Sequence, residues 1–270
     1  MVLGPASDRF GRRSIIAVGL VICLIGIVVA ALGETVTQVL IGRAIQGFGC
    51  AAGPVLARAM LRDTHSGERL AHAMAITMAI FAIGPLTAPL LGFFLTEAFG
   101  WRAVFVAMAT LTLSLMALSF LWLQETLPEE RRQKLNLAKL IRSSAEIFGH
   151  SQSRYFLFVV SLAYCALLSF VANAPRIYET QFGVVGLEFS VLFAGAGLGI
   201  IVGQIGNRIM LRKFGILPSL RLATFILFFS TAVSAVLAVS GFLNANLFTA
   251  LMFLFNTSFL VVLANGSTLI

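Results

Sequence analysis

Eight apolar runs, each close to the length of one bilayer crossing, dominate this 270-residue sequence: 14–32, 36–59, 71–95, 103–123, 155–174, 189–206, 222–240 and 247–264. A hydrocarbon core about 30 Å thick needs about 20 helical residues, at 1.5 Å of rise each. Backbone in lipid must satisfy its own N–H and C=O groups, which leaves helices or a closed barrel. Barrel strands of about ten residues would alternate apolar and polar, whereas these runs are apolar on every face. The prediction is an all-α, polytopic membrane protein. Composition agrees: 59% hydrophobic residues, 11% charged residues and 24 Phe give too little polar surface to coat a water-soluble globule of this length.

The net charge of +8 raises the question of nucleic acid, and the distribution of the charge answers it. Arg9, Arg12 and Arg13 precede the first run, while Arg58, Arg62 and Arg69 surround the second-to-third connection. Arg131, Arg132, Lys134, Lys139, Arg142 and Arg154 lie between the fourth and fifth runs, and Arg208, Arg212, Lys213 and Arg221 between the sixth and seventh. The alternate connections carry only Arg102 and Arg176. Such asymmetry places the basic connections and both chain ends in the cytoplasm. Basic charge here orients helices and touches lipid headgroups; the bilayer is a partner and nucleic acid is not.

A mark of glycine and charge occurs twice. Gly4, Asp8, Arg9, Phe10, Gly11, Arg12 and Arg13 open the chain, and Gly203, Asn207, Arg208, Arg212, Lys213, Phe214 and Gly215 echo them. A repeat of this kind implies internal duplication. The longest connection, 124–153, then reads as a cytoplasmic linker between an N-terminal bundle, 1–123, and a C-terminal bundle, 154–270. Inside it Leu137, Leu140, Ile141 and Phe148 fall near one helical face, which suits a segment lying along the membrane surface. Two runs precede the second mark and none precedes the first. Equal halves would need two more spans at each end, so the eight runs are expected to be eight of twelve, in a chain truncated on both sides. A secretory leader is not expected, because the first run is too long and seven more follow.

Several residues stand out on physical grounds. Asp8 and Arg12 are four apart with the acid first, the favourable order for a helical pair. Arg43 lies about 10 Å inside the second run and must face protein, water or a carboxylate. Gln46 and Gly47 follow on its face, and Gly42, Gly49 and Gly53 offer surfaces for close helix approach. Gly84, Pro85, Pro89 and Gly92 in the third run predict a kinked, locally open helix that lines a cavity or an interface. Gly195, Gly199 and Gly203 form a four-residue ladder suited to helix packing. Asn173, Asn256 and Asn265 suit either substrate contact or interhelical hydrogen bonds. Tyr164 and the many Phe side chains suit either a greasy pocket wall or lipid. Cys23, Cys50 and Cys165 read as small apolar packers, and His65, His72 and His150 sit in or beside connections, so no metal, cofactor or enzymatic centre is expected. No Asp, Glu or His occupies the middle of any run.

The opening Gly4-x-x-x-Asp8-Arg9-x-Gly11-Arg12-Arg13 resembles the signature loop of the major facilitator superfamily. Arg43-Ala-Ile-Gln46-Gly47 is similar to its fourth-span motif. Ala57-Arg58-Ala-Met-Leu-Arg62-Asp63, Ala88-Pro89-Leu-Leu-Gly92, Phe99-Gly100-Trp101-Arg102 and Asn173-Ala-Pro175 resemble the bicyclomycin-resistance (Bcr/CflA) efflux branch. The resemblance implies a monomeric carrier in a bacterial inner membrane that exports a small amphipathic or cationic substrate against protons by alternating access. It implies that Asp8, Arg9 and Arg12 join Asp63 in a conformational latch, where a tight turn that only fixes topology is the other reading. It implies proton coupling at Arg43 and Gln46, where a structural hydrogen-bond hub is the alternative. Gly84, Pro85, Pro89 and Asn173 would border the substrate path, although the third run departs from the antiporter glycine pattern. Many relatives carry a membrane acid in a first span that has no counterpart here, so the proton site is expected outside these residues. A transporter of one amino acid or sugar, or a non-transporting fragment, are the alternatives.

Overall fold

The computed structural model describes residues 3–132 and 148–266; the side chains of Ala71, Ala75, Met78, Ala79, Phe81, Ala82, Pro85, Leu86, Arg131 and Gln152 lie outside that description. The described residues form α1 (Leu3–Phe10), α2 (Arg12–Leu32), α3 (Val36–Cys50), α4 (Ala52–Thr64), α5 (Gly67–Phe99), α6 (Arg102–Trp122), α7 (Ser151–Phe182), α8 (Gly186–Phe214), α9 (Ile216–Val239) and α10 (Ala245–Gly266), with one 3-10 turn at Glu129–Arg131 and no strand among them. Seven spans among the described residues are long and apolar enough to cross a membrane, α3 and α4 counting together as Val36–Thr64. The eighth expected run, 71–95, falls inside the 33 residues of α5. The amphipathic segment expected around Leu137, Leu140 and Ile141 lies outside the described residues.

Local chemistry sets the boundaries. Thr35 and Gln38 form a capping box at the start of α3: Gln38 N–H donates to Thr35 Oγ1 at 3.3 Å, and Thr35 N–H to Gln38 Oε1 at 3.1 Å. The run expected to be one helix over 36–59 is instead broken at Ala51, and Pro54 supplies the reason. It has no N–H for the Cys50 carbonyl four residues back, and its ring crowds that carbonyl. Gly11 and Gly215, each after a Phe in the two copies of the repeated mark, turn the chain at φ 90° and 80°, where a side chain would be strained. So Asp8 and Arg12 do not share one helix; Asp8 lies in α1 and Arg12 opens α2. The opening expected at Gly84, Pro85 and Pro89 does not interrupt α5, and Thr87 Oγ1 donates to the Ile83 carbonyl there at 3.0 Å.

The chain divides into two compact units, Met1–Met78 with Phe94–Leu137 and Ala79–Phe93 with Ala138–Ile270, so α5 contributes to both. In the first unit, glycines let α2 and α3 touch backbone to backbone. A Cβ on Gly26 would stand 2.6 Å from Gln46 Cα, and one on Gly42 would stand 2.8 Å from Ala30 Cα. Gly47 and Gly53 meet nothing within 4 Å, so of the glycines expected at close approaches Gly42 and Gly49 serve there and Gly53 does not.

α6 holds α2 by both ends. Arg102 donates from Nε to the Ala31 carbonyl at 3.1 Å and from Nη2 to the Gly33 carbonyl at 3.2 Å, while its guanidinium stacks 4.3 Å from the Trp101 ring centroid. A cation on the orphan carbonyls of a helix C-terminus favours both the hydrogen bonds and the helix dipole. Replacing it, Arg102→Ala, should lower stability by about 1 kcal/mol, read as a small fall in unfolding midpoint in detergent. Arg102→Lys, with no planar fork, should recover only part of it.

In the second unit α10 is the hub, packed against α7, α8 and α9. A Cβ on Gly199 would stand 3.0 Å from Thr257 Oγ1, and one on Gly203 would stand 3.0 Å from Thr257 Cα, so the expected glycine ladder is an α8–α10 packing seam. Tyr178, fully buried, shares a 2.6 Å hydrogen bond with Thr249 and sits among Phe182, Phe189 and Phe248. Many other Phe side chains lie on the outside of their units, including Phe228 and Phe242.

Candidate functional site

Four charged residues from three distant stretches of the sequence meet around the start of α2. Arg12 Nη1 lies 2.7 Å from Asp8 Oδ1, and Arg12 Nε lies 3.1 Å from Asp63 Oδ2 at the end of α4. Arg12 also donates to the hydroxyl of the fully buried Ser7, which in turn donates to the Gly4 carbonyl at 2.7 Å. Thr126 Oγ1 donates to Asp63 Oδ2 at 3.2 Å. Arg12 is only 8% exposed, so its charge relies on these oxygens for what water no longer supplies. Of the expected latch residues, Asp8, Arg12 and Asp63 come together; Arg9 points away, with its guanidinium 4.9 Å from the Phe10 ring centroid.

Glu125, just beyond α6, completes the cluster and was not singled out from the sequence. Its Oε1 accepts from the Arg12 N–H at 3.0 Å and its Oε2 from the Arg13 N–H at 3.2 Å. The carboxylate therefore sits on the positive end of α2, where free N–H groups and the helix dipole favour an anion. A Cβ at Gly11 would press on the Glu125 carboxylate, which would have to swing aside from the α2 N–H groups to make room. Glu125 lies 113 residues from Arg12, and no spacing rule links an acid in one connection to the start of a helix that distant.

Arg43 and Gln46 pair as neighbours on α3: Arg43 Nη1 donates to Gln46 Oε1 at 2.8 Å. Gln46 is 5% exposed, and its amide also approaches Met108 Sδ on α6 at 3.9 Å. Among the described residues Arg43 has no carboxylate partner within ion-pair distance.

In the second unit a cavity of about 580 Å³ opens beside α7. Ser169, Asn173, Arg176, Thr180, Gln181, Thr231 and Ser234 supply its polar lining, and Phe170, Phe248, Met252 and Phe255 much of its apolar lining. Among the described residues Arg176 is the only ionisable side chain in the lining. Asn173 faces this cavity and donates to the Ser169 carbonyl one turn back at 2.8 Å. The other two asparagines join helices. Asn256 Nδ2 donates to the Ala196 carbonyl at 3.0 Å, and Asn265 Nδ2 to Asn207 Oδ1 at 2.9 Å. Asn207 belongs to the second copy of the repeated mark, so that copy meets its α10 partner through neutral amides where the first uses ions. Tyr164 lies edge-on to Phe259 at 5.2 Å. Gly84 and Pro89 lie in α5, outside all of these sites, and the Pro85 side chain lies outside the described residues. No cluster of three or more His, Cys, Asp or Glu able to hold a metal occurs among the described residues.

Comparison with known proteins places these features in context. The family model described as Major Facilitator Superfamily matches residues 1–270. The bicyclomycin resistance protein homolog of Haemophilus influenzae is 30% identical over 227 residues, covering 84% of this chain and 57% of that protein. Multidrug resistance protein D of Escherichia coli is 29% identical over 190 residues, covering 70% of this chain and 47% of that protein. The chain thus spans about half the length of the curated relatives it matches. Two crystal structures share its fold: the human organic anion transporter MFSD10, with TM-score 0.63, 20% identity and coverage of 96% of this chain and 66% of that one, and a D-xylose-proton symporter, with TM-score 0.65, 18% identity and coverage of 96% and 65%.

Proposed function

Because the chain belongs to the Major Facilitator Superfamily, we propose that it is a multi-pass membrane carrier, not an enzyme, that exports small amphipathic compounds in exchange for protons by alternating access. The observation that carries this reading is the cavity beside α7. At about 580 Å³, with phenylalanine and methionine side chains among polar groups from α7 and α9, it suits a drug-sized organic molecule held mainly by apolar contact. Resemblance to two proteins named for drug resistance supports export as the direction.

Arg176 narrows the expected amphipathic or cationic substrate. A cation 4 Å from a guanidinium would meet repulsion of about 4 kcal/mol at an effective dielectric near 20, so neutral and anionic amphipaths are favoured. The cluster of Asp8, Arg12 and Asp63 is proposed as the latch, with Glu125 as a fourth member and Arg9 outside it. Bacterial relatives and the alternation of arginine-rich connections support an inner-membrane location with those connections, and both ends of this chain, in the cytoplasm. The connection 124–153 is proposed to join the bundles 1–123 and 154–270.

Arg43 is proposed to couple transport to protons, its guanidinium held by Gln46 and open to a carboxylate that titrates during the cycle. The test uses inverted membrane vesicles carrying the protein, with an anionic or a cationic fluorescent dye supplied in the outer medium, so that export appears as uptake into the lumen. Acidifying the lumen should accelerate movement of the anionic dye at least several-fold over vesicles without the protein, and of the cationic dye less. Arg43→Ala should abolish the acceleration while leaving counterflow of unlabelled dye intact. Equal acceleration in Arg43→Ala would remove the coupling role. No acceleration of either dye by the parent would remove the export reading.

A further inference from the structure

We propose that Cys23 and Cys50 form an oxidisable dithiol that a neutral peroxide closes into an intramolecular disulfide, tying α2 to the seam between α3 and α4. Their sulfurs lie 2.9 Å apart although the residues are 27 positions apart in the chain. That is within about 1 Å of a covalent S–S bond. The approach is built into the helix pair: a Cβ on Gly49 would stand 2.8 Å from Cys23 Cα, and one on Gly19 would stand 2.9 Å from the Gly49 carbonyl oxygen. Backbones this close keep the two cysteines within the span a disulfide bridges.

The position is not an arbitrary one along α3. Cys50 is its last residue, the one whose carbonyl Pro54 leaves without a helical donor. A bond from Cys23 would therefore fasten the place where the α3–α4 span bends. Both sulfurs border a cavity of about 310 Å³ with Leu20, Ile27, Met108 and Thr112, which admits a small uncharged oxidant. The bilayer core excludes charged glutathione but not hydrogen peroxide. One thiol gives up its proton and is oxidised to a sulfenic acid with release of water, and the second thiol displaces a second water to form the S–S bond. Two thiols and one peroxide thus become one disulfide and two waters. Cys165, on α7, has no such neighbour among the described residues and is a built-in reference thiol.

The test is alkylation counting on the purified full chain in lipid nanodiscs. Exposed to hydrogen peroxide, then denatured and treated with N-ethylmaleimide, the protein should carry one adduct, against three without peroxide. Dithiothreitol before alkylation should restore all three. Peptide mapping should find Cys23 joined to Cys50. Cys165→Ser should fall from two adducts to none, while Cys50→Ser should keep two. Three adducts after peroxide, a bridge involving Cys165, or sulfinic and sulfonic acids at Cys50 in place of the bridge would overturn the assignment. The Cys165→Ser variant leaves the α2–α3 contact untouched, so the outcome does not depend on tolerance of serine there.

Discussion

Arg12→Ala is expected to cost about 3 kcal/mol or more and, through the proposed latch, to change dye flux. The magnitude follows from burial. Arg12 is 8% exposed and holds Asp8 at 2.7 Å and Asp63 at 3.1 Å, so truncation leaves two facing carboxylates without their shared cation. Removing one partner of a buried ionic group is far costlier than the net worth of the pair. The measurement is the thermal unfolding midpoint in detergent, together with dye flux in vesicles. Arg12→Lys should recover part of the midpoint, because it restores charge but not the fork that reaches both acids and Ser7. Asp8→Ala should change flux with a smaller loss of stability, since the Asp8 side chain is 39% exposed. An Arg12→Ala midpoint equal to that of the parent would mean that Glu125 and the helix termini hold this corner without the ion cluster.

Gly26→Ala should be comparably damaging, even though it adds a single methyl group. That methyl would lie 2.6 Å from Gln46 Cα and 2.7 Å from the Gly42 carbonyl oxygen, both backbone atoms of α3 that cannot rotate aside. Relief requires the two helices to separate, which opens the glycine contacts along the whole pair. Overpacking of this kind costs about 1–3 kcal/mol, and more where backbone must yield. Gly47→Ala, in the same helix with nothing within 4 Å, is the matched control and should be neutral or stabilising by up to about 1 kcal/mol. Yield of monodisperse protein after detergent extraction reads both. If Gly26→Ala and Gly47→Ala behaved alike, close backbone approach would not be what holds α2 to α3.

Spans, turns and the pair of Asp8 with Arg12 were legible because each leaves a short-range trace, whereas Asp63 entered only through the family resemblance and Glu125 not at all. A run of about 20 apolar residues is readable at once, and so is a Phe-Gly turn flanked by arginines. Asp8 and Arg12 do pair, but across the Gly11 turn and not along one helix as their spacing of four suggested. Arg43 and Gln46, three apart on one helix, meet as their spacing implies. The break at Ala51 was also written locally, in Pro54, yet the expected run passed over it, because an apolar composition hides a lost hydrogen bond.

What the sequence by itself determined is the solvent and the secondary structure. Eight apolar runs demand lipid, lipid demands helices, and the arginines mark their ends. Only the tertiary structure decided which distant side chains share a place: Glu125 on the first N–H groups of α2, Arg102 on its last carbonyls, the Cys23 sulfur against Cys50, and Asn207 against Asn265. The physical reason is that helix propensity and hydropathy act over a turn or a span, whereas these contacts depend on how helices cross. Crossing is governed by where glycine lets two backbones meet, and a glycine at a crossing reads in sequence like one that meets nothing.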